Sequence, residues 1–288
     1  MIAKKHYIKI INNIQNNKPL VIDTRFMDNT YIYNVSKFIK THNNFSYLSI
    51  KDKTELNFEE NAYKQLFNSL SHCNSSQTFK FKCIYHNYLY INDLIYMLKN
   101  NTSSKNLYIK YYYIKPYELK ELFDAIKNNS LIKISLYIFY KNLNPKLFNP
   151  EYFIINELTN YNNLQKICIK GTFLGSKNVY KKLNLLLNNL NNLKSFKIFN
   201  CNDGCIIDRN KYNKLIYHKL IENNTIKKLI INTQSQELIS YILSCCKNIR
   251  HLNIINFNKI TLNNKLINCI ISSNLTKLYI FYILENKN

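Results

Sequence analysis

Cysteine and histidine are the residues of this 288-residue chain whose chemistry and spacing could support metal binding or nucleophilic catalysis. Thiolate sulfur and imidazole nitrogen form the ligand set that zinc prefers. One candidate zinc set consists of His72, Cys73, Cys83 and His86. Its spacing matches no standard zinc finger, and Cys73 ends a predicted helix whereas His86 follows a predicted strand. We therefore predict no metal site and no cofactor.

A cysteine nucleophile is the second kind of chemistry to consider. Cys168 lies between Lys166 and Lys170, and neighbouring positive charge lowers the pKa of a thiol. Nucleophilic catalysis also needs a histidine close by. The histidine on the same predicted face, His251, lies three strands later, at a distance of about 15 Å for ordinary strand spacing. No catalytic triad or carboxylate pair converges either, so we predict that the protein is not an enzyme.

The elements that position these residues follow from a repeated motif, apolar-x-x-apolar-x-apolar. Its clearest copy contains Leu193, Phe196 and Ile198. The second apolar residue of each copy, here called the anchor, recurs about every 29 residues. The anchors are Leu20, Leu48, Phe79, Leu107, Ile134, Ile167, Phe196, Leu229, Leu252 and Leu278. Each anchor marks a predicted β-strand.

The segments between the anchors have apolar residues at helical spacing, which predicts one helix after each strand. The patterns are Tyr63/Leu66/Phe67/Leu70, Leu119/Leu122/Phe123/Ile126, Leu183/Leu186/Leu187/Leu190, Leu215/Ile216/Leu220/Ile221, Leu238/Tyr241/Ile242/Cys245 and Leu266/Ile267/Ile270/Ile271. Most of these segments end in asparagine just before the next strand. Asparagine tolerates the left-handed conformation that ends a helix, so we interpret these asparagines as substitutes for glycine.

These strand motifs resemble the leucine-rich-repeat superfamily over essentially the whole chain. The resemblance implies an α/β solenoid (horseshoe) of about ten repeats, with a parallel concave sheet and convex helices. An ordinary α/β protein whose strands happen to look alike is the alternative. We predict an N-terminal capping helix over residues 1–18 and the repeat array over residues 19–288, as a single domain overall.

The composition, length and loosely kept repeats further resemble the leucine-rich-repeat gene-family proteins of insect poxviruses (entomopoxviruses). That resemblance implies an interaction role directed at the host or the virus. It supplies no catalytic residues.

The strand residues that alternate with the apolar positions should point out of the concave face, because side chains alternate along a strand. Lysines and aromatic residues recur at these positions, whereas Asp and Glu are missing beyond Asp23. We therefore predict a protein partner with an acidic surface. The predicted partner-binding residues are Tyr47, Lys51, Lys80, Lys82, Tyr108, Lys110, Lys133, Tyr137, Lys166, Lys170, Lys197, Phe199, Lys228, His251, Lys277 and Tyr279.

The net charge of +23 leaves two alternatives open. Lysine contacts to phosphate could make this a nucleic-acid-binding protein. However, arginine, which grips phosphate with two parallel bonds, occurs only at Arg25, Arg209 and Arg250. Alternatively, the lysines reflect codon bias, and the predicted face is rich in lysine only because the whole chain is.

The cellular compartment follows from the cysteines and the hydropathy. The 8 cysteines show no paired framework, the start lacks the apolar core of a signal peptide, and no stretch reaches the length needed to cross a bilayer. We predict a reduced, cytoplasmic protein (in the host cytoplasm if viral) with no membrane partner. The sequence leaves the oligomeric state open.

Overall fold

The computed structural model divides the chain into two compact units, Met1–Phe148 and Asn149–Asn288. The structure describes residues 2–16, 18–42, 44–52, 60–73, 77–83, 91–112, 114–139, 149–171, 177–200, 222–223, 225–232, 236–245, 247–255 and 264–281. The predicted helix around Leu215 lies outside these residues.

The first unit alternates helices and strands along its described residues. Its helices are α1 (Ile2–Gln15), α2 (Asn29–Thr41), α3 (Glu60–Ser71), α4 (Ile91–Asn100) and α5 (Pro116–Ile126). Its strands are β1 (Leu20–Asp23), β2 (Tyr47–Asp52), β3 (Thr78–Cys83), β4 (Asn106–Tyr112) and β5 (Lys133–Phe139). A short 3₁₀ turn, Thr24–Phe26, follows β1.

The strands of the first unit are parallel, and each pairs with its successor in the chain. Leu20 lies opposite Leu48, Leu48 opposite Phe79, Phe79 opposite Leu107, and Leu107 opposite Ile134. The predicted anchors of this unit therefore stand in one row across the sheet, which confirms the repeat and its phase.

The second unit repeats the pattern. Its helices in the described residues are α6 (Pro150–Leu158), α7 (Lys177–Asn189), α8 (Gln236–Cys245) and α9 (Asn264–Ile271). Its strands are β6 (Lys166–Gly171), β7 (Ser195–Asn200), β8 (Lys228–Asn232), β9 (His251–Ile255) and β10 (Lys277–Phe281). They are parallel in chain order, with Ile167, Phe196, Leu229, Leu252 and Leu278 opposite one another in turn. Strands that merely look alike would not keep their anchors in register.

The core of the first unit lies between the anchor side of its sheet and the helices. A column of aromatic side chains shows this packing: Tyr63 and Phe67 of α3, Phe81 of β3 and Tyr111 of β4. The ring centroids are 6.3 Å apart for Tyr63–Phe67, 5.8 Å for Phe67–Phe81 and 6.3 Å for Phe81–Tyr111. All four side chains are buried. The helices therefore cover the anchor side, and the other side of the sheet is left to the alternating residues.

Local hydrogen bonds set several helix starts. Asp28 Oδ1 accepts from the backbone N–H of Tyr31 at 2.9 Å at the start of α2. Asn149 Oδ1 accepts from the N–H of Tyr152 at 2.9 Å, and Pro150 occupies the first turn of α6. Such side chains satisfy N–H groups that have no partner within the helix.

Helix α1 covers the start of the first unit. It packs against α2 and β1, with Ile10 and Ile14 buried, and the ring of Tyr7 stacks on that of Tyr31 at 5.0 Å. The helix lies within the predicted 1–18 segment. The prediction that residues 19–288 form a single domain stays a prediction.

Several helix-ending asparagines have a role that the sequence interpretation missed. Asn101 Nδ2 donates to the carbonyl of Cys73, one repeat earlier, at 2.8 Å. Asn223 Nδ2 donates to the carbonyls of Leu187 and Leu190 at 3.3 and 3.2 Å, and Asn274 Nδ2 to that of Lys247 at 3.1 Å. These amides bind carbonyls at the end of the preceding helix region. They therefore join successive repeats, whatever their own backbone conformation.

Candidate binding surface

The candidate site is the strand face, defined here as the strand side chains that alternate with the buried anchors. Strand β3 shows the alternation clearly: Phe79, Phe81 and Cys83 are buried, whereas Thr78, Lys80 and Lys82 are half-buried. Across the first unit the predicted residues Tyr47, Lys51, Tyr108, Lys110 and Tyr137 are also half-buried, and Lys133 is exposed. They all occupy the side of the sheet that the sequence predicted.

Three lysines stand side by side on this face. Lys51 lies opposite Lys82, and Lys82 lies opposite Lys110. Neighbouring strands are about 4.8 Å apart, so the row extends over about 10 Å. We call Lys51, Lys82 and Lys110 the lysine row. Tyr137 lies opposite Lys110 and borders the row.

An aromatic cluster adjoins the lysine row. The ammonium of Lys80 lies 4.8 Å from the ring centroid of Tyr108, a cation–π distance. The ring of Tyr137 lies 5.1 Å from that of Tyr108 at an interplanar angle of 39°. Because Lys80 is on β3 and Tyr137 on β5, they approach Tyr108 on β4 from opposite sides. The Tyr108 ring thus contacts a cation from one neighbouring strand and a second ring from the other.

Asp23, the acid that interrupts the predicted pattern, is bound by a neighbouring arginine. Its carboxylate accepts from Arg25 Nε at 3.0 Å and from Arg25 Nη2 at 2.9 Å. Asp23 is buried, whereas the Arg25 side chain is 44% exposed. Asp23 lies opposite Lys51 in the register, so this ion pair lies at one end of the lysine row.

Ser49 is a residue of the strand face that is not available to a partner. It alternates with the buried residues of β2 and so belongs to the strand face, but it is 1% exposed. It lies opposite Val21 and Lys80 and between Tyr47 and Lys51 along its strand, so larger side chains surround it. A small residue in such a row is covered by its neighbours, so Ser49 contributes almost no exposed surface to the strand face.

The side chains on the strand face of the second unit differ more in their exposure. Lys166, Lys228, Lys277 and Tyr279 are exposed, and Cys168, Lys197 and His251 are half-buried. Ile230, also on this face, is 9% exposed. Lys170 and Phe199 belong to β6 and β7, but their side chains lie outside the described residues.

The candidate zinc ligands differ in their surroundings. Cys73 and Cys83 are buried, His72 is exposed, and His86 lies outside the described residues. Burial raises the pKa of the Cys73 thiol to about 12, and its Sγ donates to the carbonyl of Ser69 at 3.9 Å. A metal-binding thiol must lose its proton, so Cys73 is a poor ligand. Within the described ranges, no three His, Cys, Asp or Glu side chains are grouped to hold a metal ion.

The cysteines should differ in their reactivity towards a thiol reagent. Cys73 is buried with a raised pKa, whereas Cys245 is exposed. Because the thiolate is the reactive form, native protein treated with iodoacetamide at pH 8 should be labelled at Cys245 well before Cys73. Mass spectrometry of the digested protein measures this order, and labelling in urea should abolish the difference. Early labelling of Cys73 in native protein would contradict its burial.

His6 of α1 predicts a pH dependence at the start of the first unit. Its Nε2 accepts from the backbone N–H of Asp23 at 3.3 Å, which requires a neutral ring. Burial lowers the pKa of His6; Asp23 opposes this shift, and Lys9, Arg25 and Lys51 add to it. The folded state therefore disfavours the protonated ring, and the stability that His6 provides is present above its unfolded pKa of about 6.5.

That stability should be lost as the pH falls below 6.5 and through the lower folded pKa. Urea unfolding at pH 7.5 and pH 5 should show a larger fall in unfolding free energy for the wild type than for His6→Gln. Glutamine can accept the same hydrogen bond but does not titrate. Equal falls in the two proteins would show that His6 makes no such contribution.

None of the described helices is both long enough and apolar enough to span a bilayer.

The comparisons with known proteins find likeness in structure but not in sequence. No family model and no curated protein matches the chain. A leucine-rich-repeat-containing protein, LegL7 from Legionella pneumophila, is 12% identical with a TM-score of 0.49, over 90% of this chain and 82% of its own. The actin-binding site 2 of leiomodin-1 is 14% identical with a TM-score of 0.39, over 64% of this chain and 88% of its own.

Likeness at this level concerns the fold alone, and the fold is decided by the chain's own register. Parallel strands alternate with helices, and the apolar anchors stand opposite one another within each unit. Each unit is a stack of parallel strand–helix repeats, which is the α/β arrangement that the repeated motif predicted. The α/β prediction is therefore confirmed.

The strand face contains features that sequence reasoning did not find. The pairing of Arg25 with Asp23 could have been suspected from their separation of two residues. The cation–π contact of Lys80 and Tyr108 joins residues of different repeats. Its only sequence signal is that both occupy the position just after their anchors, Phe79 and Leu107.

Proposed function

We propose that this protein is a non-enzymatic protein-binding scaffold whose partner docks on the strand face. The observation that supports this most strongly is the lysine row with its adjoining aromatic cluster on the first unit. Aromatic side chains that are partly exposed on a rigid sheet are typical of binding surfaces, and a row of like charges favours a partner of the opposite charge. The resemblance to the insect poxvirus proteins further suggests a host protein as the partner and the host cytoplasm as the place.

Nucleic acid is the alternative partner. The net charge of +23 would attract it, but only three residues of the chain are arginine and 24 are tyrosine. Lysine meets phosphate as a point charge and lacks the paired geometry of arginine. The scarcity of arginine therefore favours a protein partner.

A quantitative pull-down tests the proposed function. The face variant replaces Lys80, Lys110, Lys133 and Lys166 by glutamate. The control variant makes the same charge change on the helices, at Lys64, Lys99, Lys120 and Lys181, all of which are exposed. We expect proteins recovered by the wild type and by the control variant to be lost with the face variant, and purified candidates to reproduce this order.

Two results would contradict the proposal. Equal recovery by the wild type and the face variant would exclude the strand face as the docking surface. Recovery that vanishes after nuclease treatment, together with steep loss on adding salt, would indicate nucleic acid instead. Circular dichroism of all three proteins verifies that they are equally folded.

A further inference from the structure

We infer that the second unit binds the phosphate backbone of a double-stranded nucleic acid along the edge of its sheet where the strands begin. The residues that would bind it are here called the basic rim: Lys166, Lys194, Lys227, Lys228, Arg250, His251 and Lys277. This inference goes beyond the proposed function, because it assigns a second ligand to a set of residues in the second unit.

The basic rim is a concentration of charge that the composition does not explain. It is formed by the first residue of each strand from β6 to β10 and by the residue just before it. Six of these ten positions are Lys or Arg, and a seventh is His251. The same ten positions of the first unit contain two lysines, Lys105 and Lys133. Codon bias would act on both units alike, so it does not account for this difference.

The basic rim is open to solvent and has little acid beside it. Its Lys and Arg side chains are exposed, and His251 is half-buried. The segments that lead into the strands of the second unit contain one acidic residue, Glu222. These segments are residues 159–165, 190–194, 222–227, 246–250 and 272–276. The rim therefore has a positive potential that attracts polyanions.

The backbone holds the rim residues of successive repeats in a fixed order. The N–H groups of Lys227 and Lys228 donate to the carbonyl of Lys194 at 3.0 and 3.1 Å. Those of Arg250 and His251 donate to the carbonyl of Lys227 at 2.9 and 3.0 Å. Lys194, Lys227 and Arg250 thus follow one another at the spacing of the strands, and a ligand meets charges whose order is already set.

The length and charge of the rim match a duplex. Five strands at a spacing of about 4.8 Å extend over about 19 Å. A DNA duplex carries one charge per about 1.7 Å of its axis, which gives about 11 charges over that length. An extended peptide in which every residue is acidic carries at most about 6. A duplex therefore offers a phosphate to every cation of the rim, whereas a peptide would need an unbroken run of Asp or Glu.

The side-chain types of the rim also favour a phosphate backbone. Its other three positions are Gln165, Ser195 and Thr276, so none of the ten is apolar and none is Phe or Tyr. Protein interfaces usually have an apolar or aromatic centre, and single-stranded nucleic acids stack their bases on aromatic rings. Lys, Arg, Ser, Thr and Gln are side chains that bind phosphate oxygens in protein–DNA complexes.

We expect this binding to be independent of base sequence. Guanine is read by two parallel bonds from one side chain, most often arginine. The rim contains one arginine, Arg250, and its Nη1 donates to the carbonyl of Asn274 at 3.0 Å. Lysine meets phosphate as a point charge, which is sufficient when binding depends on the neutralisation of phosphates.

Fluorescence anisotropy with labelled sixteen-base-pair DNA and RNA duplexes, at 50 to 200 mM salt, tests the inference. The rim variant Lys194→Gln, Lys227→Gln should weaken binding by about tenfold or more at 50 mM salt. It should also reduce the slope of log affinity against log salt by about 2, because two phosphate contacts are lost. Lys194→Arg, Lys227→Arg keeps both charges and should retain binding.

The matched control is Lys181→Gln, Lys265→Gln. It makes the same charge change at exposed helix positions of the same unit, and should weaken binding by less than about twofold with an unchanged salt slope. Binding of only one of the two duplexes, with this dependence on the rim, supports the inference and identifies that duplex as the ligand. Circular dichroism verifies that all variants are equally folded.

Four results would overturn the inference. The first is absence of binding of the wild type to both duplexes, and the second is equal weakening by the rim and control variants. The third is tighter binding of a twelve-residue oligothymidine than of either duplex. The fourth is tighter binding of an octaglutamate peptide that is lost with the rim variant, which would assign the rim to an acidic protein.

The inference and the proposed function can fail separately. Lys194 and Lys227 are not among the predicted residues of the strand face, and the four-lysine face variant leaves both unchanged. Duplex binding that depends on these two lysines would support the rim even if the pull-down contradicted the scaffold function. Loss of a protein partner with the face variant would support the scaffold function even if neither duplex bound.

Discussion

Replacing Phe81 by alanine should lower the free energy of unfolding of the protein by about 3–5 kcal/mol. Phe81 is 1% exposed and its ring contacts those of Phe67 and Tyr111, at centroid distances of 5.8 and 6.3 Å. The substitution removes apolar burial and leaves a cavity at the point where α3, β3 and β4 meet. Urea unfolding followed by far-ultraviolet circular dichroism measures the loss.

Tyr96→Ala is the matched control for Phe81. Tyr96 is an aromatic residue of α4 in the same unit, but it is 53% exposed. Its replacement should change the free energy of unfolding by no more than about 0.5 kcal/mol. A loss below about 1 kcal/mol for Phe81→Ala would contradict the aromatic column as the centre of the core.

Asn101→Ala should cost about 1–3 kcal/mol, because it removes a buried donor and leaves a buried carbonyl without its hydrogen bond. Asn101 is 1% exposed, and its Nδ2 donates to the Cys73 carbonyl at 2.8 Å. That carbonyl belongs to the preceding repeat, so the effect measures how strongly one repeat is joined to the next. Equilibrium urea unfolding again provides the measurement.

Asn129→Ala is the comparison for Asn101→Ala. Asn129 also lies between a helix and the next strand and is 4% exposed. In the part of the chain that the structure describes, however, neither Nδ2 nor Oδ1 of its side chain has a hydrogen-bond partner. Removing this amide should cost clearly less than removing that of Asn101. Equal losses would show that packing, and not the hydrogen bond to Cys73, explains the effect.

The sequence was sufficient to predict the strands, their phase and most of the described helices. The anchors from Leu20 to Leu278 all lie in strands, and the pattern Tyr63/Leu66/Phe67/Leu70 lies in α3. These successes have a local cause, because a period of two and a period of 3.6 are expressed within a few residues. The copy at Leu20 and Ile22 also forms a strand, in register with β2.

The sequence predicted which side of the sheet each residue of the candidate site occupies, but not which of their side chains touch. Alternation along each strand placed Lys51, Lys82 and Lys110 on one side of the sheet. It could not show that Ser49 is covered, because that depends on the size of neighbours on other strands. The helix-ending asparagines show the same limit. Their type suggested a backbone conformation, whereas the structure shows side-chain bonds to the repeat before.

What the sequence determined by itself is therefore the repeat, the strand–helix order and the side of the sheet on which each lysine stands, since all three follow from short-range periodicity. Tertiary structure decided which of these residues meet. Lys80 and Tyr108 are 28 residues apart in the sequence, and so are Asn101 and Cys73. Only the parallel register between successive strands brings such pairs within contact distance. The physical reason is that the repeat length varies, so side chains of neighbouring repeats are matched by strand pairing and not by a constant spacing along the chain.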